Sequence, residues 1–201
     1  VNILLDGLPD TVTIGGREYP IETDFRAGIA FEILVQKGET RLSEIMRPWF
    51  GKCGYPRDVD GAVEAALWFY RCGEDKDTTQ SENANRRPQN AKQGYSFEVD
   101  ADALVSSFWQ AYKIDLSTEA LHWWVFRSLM RGLPDECEFQ KRIYYRTVNL
   151  KDLPKKERER VAKIRAKIAI EQQGGKMTLA ERNAQMREYV KRRQDEASKG
   201  G

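Results

Sequence analysis

One histidine, three cysteines and a few close carboxylate pairs are the residues of this chain whose chemistry could be catalytic, and their spacing decides what each can do. His122 is the only imidazole, so a multi-histidine metal site is excluded and any base-assisted nucleophile has to use it. Cys137 follows on what the pattern predicts to be the second arm of a helical hairpin, "LHWWVFRSLMRGLPDECEFQKRIYYRT", which would bring the two within reach. Such a pair also needs an orienting Asp or Asn, an oxyanion loop and a sharp strand-to-helix turn, and the sequence carries the signature of none of them. The expectation is therefore a helical histidine and a structural thiol. Cys53, Cys72 and Cys137 are odd in number and lack CxxC spacing, which predicts buried free thiols rather than a disulfide framework or a zinc site. Asp100/Asp102 and Asp135/Glu136 fall at predicted helix starts, where the helix dipole favours negative charge without any catalytic role. Neither GxxxxGK[ST] nor GxGxxG occurs. These residues predict no enzyme activity, no cofactor and no bound metal.

Binding is the better-supported class. Arg127, Arg131, Lys141, Arg142 and Arg146 alternate with Trp123, Trp124, Tyr144 and Tyr145, a mixture that could pair phosphates and stack bases. From Lys151 onward there are 15 Lys+Arg against 8 Asp+Glu, so the end of the chain is basic and the remainder acidic, although the whole carries only +2. Against nucleic acid, Glu157, Glu159, Glu181 and Glu188 are interspersed with the cations, several at i, i+3 or i+4, the pattern of a helix solvating itself. Nucleic acid is thus the weaker expectation.

The elements that position these residues can be read from periodicity. "TVTI" and "REYPI" flank Gly15-Gly16 and predict a β-hairpin, its second strand at an edge because Pro20 cannot donate to a ladder. Thr23-Asp24 caps a helix carrying Phe25, Ile29 and Ile33, which stops at Gly38. A short helical piece from Leu42 is limited by Pro48 and Gly51, and a helix with Val63, Ala66, Leu67 and Tyr70 on one face ends at Gly73. The segment 74–94 has almost no apolar side chain larger than alanine and predicts a flexible loop, either between subdomains or between helices of one bundle. Helices follow over roughly 100–112, from Ser117 or Thr118 to Arg131, and from near Asp135. Beyond Pro154, "KKERERVAKIRAKIAIEQQ" has a narrow stripe of Val161, Ile164 and Ile168, and Thr178 with Glu181 forms a capping box for a last helix. Such helices need a partner, or docking onto the body, to be stable.

The fold class expected is mainly α: an N-terminal β-hairpin over 1–23, a compact helical body over 24–150 with the flexible loop 74–94, and a basic helical extension over 151–201. The longest apolar runs fall far short of the roughly 20 residues a membrane span needs, no secretory leader opens the chain, and a cytoplasmic protein without membrane partners is expected.

Four blocks carry a resemblance: "NILLDGLPDTVTIGGREYPIETDFR", "ALWFYRCG", "YSFEVDADALVSSFWQAYKIDL" and "LHWWVFRSLMRGLPDECEFQKRIYYRTVNLKDLPKKER". They resemble the bacteriophage gp-fifteen-like family of long-tailed phages and prophages of Gram-positive bacteria, over most of Asn2 to about Arg165. The family's genes lie beside the tape-measure gene of the tail module. The resemblance therefore implies a non-enzymatic tail assembly chaperone in the host cytoplasm, absent from the mature virion, with the tape-measure protein and tail-tube protein as partners and homo-oligomers as a further expectation. A structural tail or connector component, or a nucleic-acid-binding phage protein, is the alternative. A client with apolar helical stripes calls for an aromatic groove, and the expected protein-binding residues are Trp123, Trp124, Phe126, Tyr144 and Tyr145, divided between core and groove, with Arg127, Arg131 and Arg146 at the rim. Trp123 and Trp124 point about 100° apart on a helix, so one of them should be partly exposed or covered by another element.

Overall fold

The computed structural model describes residues 2–74 and 93–170. Most of the segment 74–94 expected to be flexible and the whole helix expected after Thr178 lie outside the described residues. Those described group into two compact units, 2–73 and a second of 74 with 93–170. The fold is mainly helical with one two-stranded sheet.

In the first unit, β1 (Thr11–Ile14) and β2 (Arg17–Pro20) pair antiparallel with Thr11 opposite Pro20 and Ile14 opposite Arg17. Gly15 and Gly16 take φ of 56° and 77°, the left-handed pair that matches the twist of a two-residue hairpin. Val12 and Ile14 alternate inward and are both buried. Asp24 caps α1 (Phe25–Gln36), its carboxylate accepting from the Arg26 N–H at 2.8 Å. The helix ends as expected at Gly38, with Glu39 N–H bonded to the Leu34 carbonyl and Gly38 N–H to that of Val35, satisfying two otherwise orphaned acceptors.

Pro48 does not limit α2 (Leu42–Phe50) but lies inside it. Trp49 and Phe50, the two residues after the proline, are completely buried, and burying two large aromatics offsets a lost backbone hydrogen bond costing about 3 kcal/mol. Trp49 packs against Phe31 of α1 and Phe69 of α3 (Val59–Tyr70) with ring centres 5.5 Å away in each case. Within this aromatic cluster the Tyr70 hydroxyl donates to the buried carboxylate of Glu32 at 2.7 Å. At the end of α3, Cys72 rather than Gly73 is the first residue in the left-handed region, with φ of 61°. Cys72 is half-buried, as is Cys53; of the three free thiols only Cys137 is buried as expected.

In the second unit, α4 (Ala101–Tyr112), α5 (Trp123–Arg131), α6 (Glu138–Thr147) and α7 (Lys155–Lys167) follow one another, α4 packing on α6 and α6 on α7. Phe108 of α4 stacks on Phe126 of α5 at 5.3 Å, and Tyr95 reaches Phe139 of α6 at 5.7 Å. Three boundaries differ from the sequence reading. No helix starts at Ser117 or Thr118, because the Asp115 carboxylate accepts from both the Ser117 N–H and its hydroxyl and folds this stretch into a turn. The next helix starts at Glu138 rather than near Asp135. The third is the end of α7 at Lys167, before the predicted limit, where the backbone turns and Arg146 takes the Ile168 carbonyl. The stripe residue Val161 is buried, so α7 is docked rather than detached. No helix of the described residues is long and apolar enough to cross a membrane.

Candidate protein-binding site

The two residues that could have formed a nucleophile–base pair both serve as helix caps. His122 precedes α5 instead of lying within a helix, and its Nδ1 accepts from the Trp124 N–H at 3.1 Å. Cys137 precedes α6, its Sγ accepting from the Gln140 N–H at 3.5 Å. Each satisfies one of the unpaired N–H groups that open a helix, a task usually given to Ser, Thr, Asp or Asn. Among the described residues no three His, Cys, Asp or Glu side chains are grouped so as to hold a metal.

The aromatic block mostly builds the core. Trp123, Trp124 and Phe126 are all essentially fully buried. Different neighbours cover the adjacent tryptophans: Trp123 stacks on Phe126 at 5.8 Å, whereas the ring of Trp124 meets the edge of His122 at 6.0 Å. Half-buried Arg127 spreads over the Trp123 ring at 5.3 Å and donates to the Tyr95 hydroxyl at 3.4 Å. Arg131 is exposed, with a long ion pair to Glu74 at 3.5 Å. Tyr144 is exposed and Tyr145 half-buried, their rings 5.6 Å apart. Of the eight residues expected to divide between core and groove, the surface share thus falls to Arg131 and Tyr144, with Arg127 and Tyr145 at its edge.

Arg146 is not at a rim. Its side chain is buried against Asp100, which is 0% exposed, and the two meet fork to fork at 2.5 and 2.8 Å. The same guanidinium donates to the carbonyls of Gly94 and Ile168, at 3.1 and 2.7 Å. Asp100 accepts further bonds from the Ser96 N–H and from Arg142, and makes no capping bond from its side chain. Capping therefore does not account for the Asp100/Asp102 pair: Arg142 bridges the two aspartates and also holds Glu138. Burial alone would push the Asp100 carboxyl up, but the bonds from Arg146, Ser96 and Arg142 outweigh it and hold it below the ordinary carboxylate value. The Arg142 guanidinium at Asp102 lowers that carboxyl too. These charges are consumed by one another and by backbone carbonyls. Their arrangement fastens α4, α6 and the end of α7 together.

A second arginine returns the bond from α7. Arg165 donates to the carbonyls of Tyr145 and Val148 at the end of α6, while Arg146 of α6 donates to Ile168 at the end of α7. Each helix thus supplies a cation to the negative C-terminal end of the other, where carbonyls lack intrahelical partners. The sequence reading placed these arginines in a binding mixture and missed the exchange. It also passed over Trp109 and Val105, which are one turn apart on α4 and exposed by 53% and 40%. Their spacing against the buried set Ala103, Leu104, Ser107 and Phe108 was the available signal.

A protein-family model described as Bacteriophage Gp15 protein matches residues 4–170. No curated protein and no solved structure matches the chain.

Proposed function

Because the chain belongs to the Bacteriophage Gp15 protein family, we propose that it is a tail assembly chaperone, which keeps the tape-measure protein soluble and assists its meeting with tail-tube subunits. The observation that carries this reading is the family match over 4–170, joined to the position of the family's genes beside the tape-measure gene. The use of His122 and Cys137 as caps, and the closure of the Asp100 cluster on itself, support a non-enzymatic role. The exposed side chains Val105, Trp109 and Tyr144 supply apolar and aromatic contact area of the type a helical client needs.

A chaperone acts in the host cytoplasm and leaves before the virion matures. Quantitative mass spectrometry of purified virions separates this from a permanent structural role. The protein should be absent from virions while present in infected cells before lysis. A fixed copy number per virion contradicts the chaperone reading and supports a tail or connector component.

A further inference from the structure

The cations of α7 are sorted by task. Arg158 and Arg165 turn back to backbone carbonyls, at Lys151 and Leu153 for the first and at Tyr145 and Val148 for the second. Lys156, Arg160, Lys163 and Lys167 do not. All four are exposed, and among the described residues none makes a hydrogen bond or ion pair. At about 100° per residue they fall within about 60° of one another and form a straight ridge about 16 Å long. The glutamates expected to neutralise them, Glu157 and Glu159, make no ion pair among the described residues either. They lie about 90° and about 70° from the centre of the ridge, on opposite sides of it.

The start of α7 breaks a local rule in the same direction. Pro154 at the N-cap supplies no side-chain bond, and Lys155 and Lys156 place two positive charges on the end of the helix where the dipole is already positive. A helix built only to dock on α6 would favour Ser or Asp before it and acidic residues in its first turn. Departures from local preference without a compensating contact in the fold mark positions selected for another purpose.

We propose that this ridge is a docking surface for an acidic amphipathic helix of another protein, one with Asp or Glu at i, i+4, i+7 and i+11. Facing helices pair charges at this spacing, and the partner's carboxylates relieve the repulsion at the start of α7. The observations favour a protein helix over nucleic acid. Two exposed glutamates flank the ridge, and α7 has no aromatic residue on which a base could stack. Assigning the acidic helix to the tape-measure client rests on the chaperone reading; the ridge itself does not.

The test measures binding of the full chain to a fluorescent peptide of Ala and Gln carrying Glu at that spacing, beside a scrambled peptide of equal charge and a duplex DNA. The striped peptide should bind at least about tenfold tighter than the scrambled one, and more weakly as salt rises. Reversing the ridge (K156E, R160E, K163E and K167E together) should lose at least about tenfold, and neutralising it to Gln should lose less. Lys156→Glu alone should slow amide exchange in the first turn of α7 while weakening the peptide, a combination that separates docking from helix stability. Equal binding of the two peptides, equal binding by the reversed ridge, or preference for the DNA overturns the proposal. Tape-measure protein left insoluble while the striped peptide still binds would remove the chaperone reading and leave the ridge standing.

Discussion

Arg146 and Asp100 meet with two parallel hydrogen bonds, of 2.5 and 2.8 Å, across 46 residues of sequence. Because the carboxylate has no exposed surface, the pair is held in place by what surrounds it, and each partner depends on the other. Removing one member leaves a buried charge without compensation, which costs far more than the pair contributes over an apolar replacement.

Arg146→Ala is therefore expected to destabilise the second unit by about 3–5 kcal/mol, whereas Arg131→Ala, at an exposed and long ion pair, should cost less than about 1 kcal/mol. Urea unfolding of the two variants checks this. Comparable effects would mean that the buried pair is not the fastening described.

Acid should act through the same pair. The Asp100 carboxyl lies below its ordinary value in the folded chain, so its contribution is fully present above the unfolded value, about 4, and is lost as pH falls through the folded one. Thermal unfolding followed below about pH 4 should show a steep loss of stability in the wild type and a shallower one in Asp100→Asn. Parallel curves contradict the assignment.

Gly61 sits where α3 starts against the hairpin. An added Cβ would lie 2.6 Å from Ile14 Cγ2 and 2.5 Å from the capping carboxylate of Asp58. Gly61→Ala should cost the first unit about 1–3 kcal/mol in urea unfolding, although alanine is the better helix former by about 1 kcal/mol.

At two other positions glycine should help. Cys72 and Lys113 hold φ of 61° and 59° at the ends of α3 and α4, a conformation costing a side chain about 1 kcal/mol or more. Cys72→Gly and Lys113→Gly should each raise the urea midpoint, corresponding to up to about 1 kcal/mol.

How far the sequence could be read follows from the range of the forces involved. Short-range chemistry was legible: the Gly15-Gly16 turn, the Asp24 cap and the Gly38 stop depend on neighbouring residues alone. Pro48 was misplaced because the burial of Trp49 and Phe50 outweighs a local penalty. In the binding block, residue type was visible but direction was not. Arginine and aromatic residues read alike as surface or core, and only the distant partners Asp100, Tyr95 and Ile168 show which arginine turns inward. The caps His122 and Cys137 escaped because neither belongs to the residue types that usually open a helix.

The central claim is that this chain keeps a tail component soluble, and co-expression with the tape-measure protein of the same phage tests it most directly. The account predicts that the tape measure moves from the pellet to the soluble fraction and co-purifies with the chain, and that the Arg146→Ala protein, its second unit destabilised, fails to do this. An equally insoluble tape measure with and without the wild-type chain, and no co-purification, would contradict it.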